Sequence, residues 1–76
     1  MDTTKTGGYL AALGKDAGMT QQEAADRLGV SNKAISKWES GGGFPDIAIL
    51  PALAELYGVT ADDILAGETV RQSTGG

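Results

Sequence analysis

Cysteine and histidine are absent from this 76-residue chain. Their absence excludes disulfides, thiolate and imidazole metal sites, and every Ser/His or Cys/His catalytic arrangement. Proline occurs only at 45 and 51, and the aromatics are confined to Tyr9, Trp38, Phe44 and Tyr57. A chain whose apolar residues are otherwise mostly Leu, Ala, Ile and Val favours helices over strands. No apolar run approaches the roughly 20 residues that cross a bilayer, and the first ten residues lack the basic-then-apolar order of a signal peptide. The expectation is a soluble, cytoplasmic protein with no membrane partner.

An excess of positive charge is also missing, since the formal net charge is −4. Its distribution is uneven. Residues 1–37 carry five cations against four anions, a net +1, whereas residues 38–76 carry Arg71 against six carboxylates, a net −5. The two halves of the molecule are expected to differ in surface potential.

A chain this short buries only about 60% of its unfolded surface, so one core must serve the whole. Helix starts and stops divide it into five short helices, an all-α fold, with residues 1–6 read as a flexible N-terminus, 7–67 as the domain and 68–76 as a flexible tail. The first helix runs from about Gly7 to Ala17 and stops at Gly18, with Tyr9, Leu10 and Leu13 inward. Thr20-Gln-Gln-Glu23 is a capping box that opens the second, which stops at Gly29. Ser31 caps a third over about residues 32–39, followed by Gly41-Gly42-Gly43. Asp46 is placed as the cap of a fourth containing Leu50, Leu53, Ala54 and Leu56, with Pro51 near its first turn. Thr60-Ala-Asp-Asp63 repeats the capping box and opens a short fifth helix with Ile64 and Leu65 inward. The stretch after Gly67 has no apolar period and reads as a truncation or a linker.

Residues 21–40 carry the grammar of a helix-turn-helix. Ala25 is small where two helices cross, Gly29 occupies a turn that a Cβ would strain, and Leu28, Val30, Ile35 and Trp38 are apolar. On a wheel of about 100° per residue, Asn32, Lys33, Ser36, Lys37 and Ser40 fall within one arc of about 140°. Ala34, Ile35 and Trp38 lie behind them, Trp38 as a core anchor. Asn pairs bidentately with adenine, Lys donates to guanine O6 and N7, and Ser reaches bases or phosphates, an inventory suited to a major groove. The same residues also make an ordinary solvated helix face; the Ala25, Gly29 and Ile35 spacing favours the groove.

The stretch TQQEAADRLGVSNKAISKWESGGGFPDIAILPALAELYGVTADDILAGE resembles the Cro/C1-type, or XRE-like, helix-turn-helix family, and the resemblance spans about residues 7–68. It implies a compact five-helix, lambda-repressor-like domain of a transcriptional repressor, acting as a homodimer on a palindromic double-stranded DNA operator. By the same resemblance, Asn32, Lys33, Ser36 and Lys37 face bases or nearby phosphates, while Gln21 clamps a phosphate and Ser40 lies at the DNA backbone. Three positions depart from the family pattern. Gly14 stands where an Arg pairs with the Glu that ends the third helix, leaving Glu39 to Lys15, Lys37 or solvent. Ala24 replaces a Leu and thins the core. Gly42 replaces a Lys, so only about three to five phosphate charges are neutralised per protomer, at about −0.9 in salt slope for each. Weak binding by the monomer, recovered by a dimer on half-sites about 34 Å apart, is the consequence.

The alternative is a helix-turn-helix scaffold working through protein contact, antitoxin-like or as an anti-regulator, with the acidic fourth and fifth helices as its face. An enzyme is not expected. Asp62 and Asp63 sit at a helix start, where carboxylates cap and favour the dipole, and no nucleophile or base accompanies them. No cofactor and no metal are implied.

Overall fold

A computed structural model describes residues 2–68. Five α-helices follow in order: α1 Thr3–Asp16, α2 Gln21–Leu28, α3 Asn32–Glu39, α4 Leu50–Tyr57 and α5 Ala61–Ala66. Strands are absent among the described residues. The all-α, five-helix expectation holds, and the starts and stops of α2, α3 and α5 fall where their caps placed them. Thr20 accepts from the Glu23 amide while Glu23 accepts from the Thr20 amide. Ser31 accepts from the Ala34 amide at 3.1 Å.

Two starts differ from expectation. Helix α1 begins at Thr3 because Asp2 accepts from the amides of Thr4 and Lys5. Residues 3–6, read above as part of a flexible N-terminus, are therefore helical. Thr6 is buried, and its hydroxyl donates to the Ile64 carbonyl at 2.8 Å, tying α1 to α5. Polar Thr6 gave no apolar signal, yet it is satisfied and inward. Helix α4 is capped by Ile49 without a side-chain hydrogen bond. Asp46 contributes its backbone carbonyl instead, accepting from the amides of Ile49 and Leu50 in a turn that precedes the helix. Pro51 sits in the first turn, where its missing N–H costs nothing. The expected tail beyond Glu68 lies outside the described residues.

The core is Leu10, Ala24, Ala25, Ile35, Trp38, Leu50, Leu53, Ala54 and Ile64, with Leu13, Leu28, Val30, Leu65 and others half-buried around it. Ala25 is completely buried and so is Ile64. Helix α1 packs on α3 and α5, α2 on α3, and α4 on α5. The crossing of α1 over the end of α3 depends on Gly7. A Cβ there would meet the carbonyl oxygens of Trp38 and Glu39, the latter at 2.8 Å, and the Gly41 amide nitrogen at 2.9 Å. These are backbone atoms and cannot move aside alone. Gly7, a helix weakener by propensity, is what lets α1 approach α3.

Candidate nucleic-acid interface

The turn between α2 and α3 fixes the angle at which α3 is presented. Gly29 adopts φ 72°, ψ 29°, a left-handed conformation that a β-carbon disfavours, and the Val30 amide then donates to the Ala25 carbonyl at 3.0 Å. Two residues later Ser31 caps α3. Ile35 and Trp38 point inward and are buried, so the opposite side of the helix is fixed outward by packing. That side carries Asn32, Lys33, Ser36 and Lys37, all exposed, as the sequence placed them.

Lys37 lies against the loop that follows α3. A Cβ at Gly42 would lie 3.1 Å from its Cγ, and one at Gly43 would lie 3.3 Å from its Cε. Its stem therefore runs over the Gly42–Gly43 backbone, while its carbonyl accepts from the Gly42 amide at 2.8 Å and from the Ser40 hydroxyl at 3.0 Å. Gly42 and Gly43 leave the room that this stem occupies. Ser40 is exposed at the end of α3, but its hydroxyl hydrogen is committed to Lys37 and its amide to the Ser36 carbonyl. Donation by this hydroxyl to any outside acceptor requires release of the Lys37 carbonyl.

Gln21 stands at the first position of α2, half-buried, and its Nε2 donates to Glu39 Oε1 at 3.0 Å. The partner of Glu39 is thus Gln21, and neither Lys15 nor Lys37 takes that place. Where Gly14 leaves room, its Cβ position lies 3.5 Å from the Tyr57 hydroxyl, 3.7 Å from the Met19 carbonyl and 3.9 Å from Glu39 Oε2. Burial, and secondarily the negative charge of Glu39, raise the Tyr57 phenol above its ordinary 10.0. Gln21, Glu39 and Tyr57 form one polar junction among α2, α3 and α4, which pattern reasoning missed because its partners lie 18 residues apart or farther. The only signal was negative, a Glu without its Arg.

Among the described residues no group of carboxylates could hold a metal ion, and no helix is long and apolar enough to cross a membrane. In the α4–α5 half, Asp46, Glu55, Asp62 and Glu68 are exposed, Glu68 within 3.4 Å of Lys5 Nζ, and Ile47 is 85% exposed in the turn before α4.

A helix-turn-helix family model matches residues 10–64 of the chain. The HTH-type transcriptional activator BcrR of Enterococcus faecalis is 46% identical over 50 residues, 66% of this chain and 24% of that protein. The HTH-type transcriptional regulator ImmR of Bacillus subtilis is 39% identical over 54 residues, 71% of this chain and 42% of that protein. The chain thus spans about a quarter to about half the length of the curated relatives it matches. Among solved structures, the clp gene regulator ClgR from C. glutamicum superposes with a TM-score of 0.72 at 25% identity, over 86% of this chain and 84% of that one.

Proposed function

The chain belongs to the Cro/C1-type helix-turn-helix family of transcriptional regulators, and on that premise we propose that it binds double-stranded DNA sequence-specifically with α3 in the major groove. The carrying observation is the division of α3. Ile35 and Trp38 are held in the core, so packing alone turns Asn32, Lys33, Ser36 and Lys37 outward as a set. Asn32 and the two lysines supply the adenine and guanine contacts, and Gln21 supplies a neutral donor to a flanking phosphate. Ser40 is a secondary backbone contact.

Few cations face the DNA, so one protomer binds weakly and a homodimer on two half-sites recovers affinity. The protein represses where its operator overlaps a promoter, and it works in the cytoplasm, with its DNA. A labelled chain titrated with a generic duplex at low salt should show amide shifts at Gln21 and across 32–40, weakening as salt rises. Lys33→Glu or Lys37→Glu should each weaken binding by about a hundredfold at low salt, about 2.7 kcal/mol. Undiminished binding by those variants defeats the proposal. Protein contact is the second reading, favoured by exposed Ile47 among the carboxylates of the α4–α5 half. Shifts confined to that half, with a protein ligand, would select it.

A further inference from the structure

We propose that Glu39 is a positioning residue for DNA binding, holding the Gln21 carboxamide so that one Nε2 hydrogen stays free for a DNA phosphate; this rests on the DNA-binding reading above. A carboxamide on a helix surface ordinarily rotates, and its two ends exchange donor for acceptor with each half-turn. Glu39 removes that freedom. A carboxylate only accepts, so the atom of Gln21 that lies 3.0 Å from Glu39 Oε1 must be Nε2. One of its hydrogens is used there, and the other remains for an outside acceptor.

A phosphate oxygen is also acceptor-only, so it engages the Gln21 carboxamide solely through that second hydrogen. Were the amide reversed, its carbonyl would face the phosphate and repel it. Glu39 itself is half-buried, the last residue of α3, with Oε2 facing the space above Gly14. It acts on the DNA contact through Gln21 and not by touching DNA. The pairing exists in this chain because position 14 is glycine, which brings no cation to take the carboxylate away from Gln21.

The test is a double-mutant cycle on the 76-residue chain, with affinity for a random-sequence duplex read by fluorescence anisotropy at low salt. Gln21→Ala should weaken binding about tenfold, the size of one hydrogen bond to a charged group. Glu39→Ala should weaken it about threefold to tenfold when Gln21 is present. In the Gln21→Ala background the same change should leave affinity unchanged or improve it slightly, since a negative charge near phosphate has been removed. That repulsion is common to both backgrounds and cancels in the cycle. Glu39→Gln, which retains an accepting oxygen, should hold affinity within about twofold of the parent, as the lost hydrogen bond is restored.

Equal fold-changes in the two backgrounds overturn the proposal and leave the DNA reading standing. If Lys33→Glu and Lys37→Glu do not weaken duplex binding, the DNA reading itself fails. One measurement needs no substitution. In the free chain, the Gln21 side-chain NH2 should be rigid on the nanosecond scale, with one hydrogen shifted by Glu39 and the other moving on addition of duplex. A freely rotating carboxamide, or both hydrogens unmoved by duplex, also overturns it.

Discussion

Helices α2 and α5 begin with the same device and put it to different uses. Thr20 with Glu23, and Thr60 with Asp63, are reciprocal caps of one geometry. At α2 the cap is exposed and its helix start faces solvent beside Gln21, whereas at α5 Asp63 is buried beside Ile64. The local pattern sets where a helix starts. Whether that start is an available surface or part of the core is decided by what packs on it, here α1, whose Thr6 reaches the Ile64 carbonyl.

The largest effect that would sharpen this contrast is Asp63→Ala. It removes the buried carboxylate that accepts from the Thr60 amide at 3.1 Å and should lower stability by about 2 kcal/mol in urea unfolding. Thr20→Ala removes the equivalent bond in water and should cost only about 1 kcal/mol by the same measurement. Equal losses would erase the distinction between the two starts. Gly14→Ala asks how open the ground beneath α2 is. All three neighbours of the new Cβ stand at ordinary contact distance, so the gain in helix propensity should raise stability by about 0.5–1 kcal/mol in thermal melts. A loss would mean that the junction is tighter than its distances.

The smallest effect concerns Tyr57. Its folded-state value lies above the unfolded 10.0, so the fold favours the neutral phenol. The stability linked to that preference is complete below pH 10 and is lost as pH rises through the raised value. Melting temperatures compared just below and well above that point should converge in Tyr57→Phe relative to the parent, and ultraviolet titration should show one tyrosine ionising late.

Much of the fold is written locally. The caps at Thr20, Ser31 and Thr60 and the stops at Gly29, Gly58 and Gly67 mark α2, α3 and the later elements, because each acts within three or four residues of itself. Thr6 and Gly7 could not be read that way. Their value comes from Ile64 in one case and from the Trp38–Gly41 backbone in the other, contacts that exist only after α1, α3 and α5 assemble. Asp46, which its residue type places as the cap of α4, acts instead through its backbone carbonyl in the turn that precedes the helix. In the candidate site, periodicity along α3 was enough to find the outward four, while the Gln21–Glu39 pair needed the third dimension.

Lys37 and Lys33 carry the same charge on the same helix face, yet they differ in entropy. An unconstrained lysine gives up roughly 2 kcal/mol of rotamer freedom when a contact fixes it. The stem of Lys37 already lies along Gly42 and Gly43, so part of that loss was incurred when the chain folded. In the proposed complex its ammonium would therefore give up less freedom on meeting a base edge than that of Lys33. The triple glycine, which looks in sequence like slack between two helices, thereby makes one cation a ruler and leaves the other a tether.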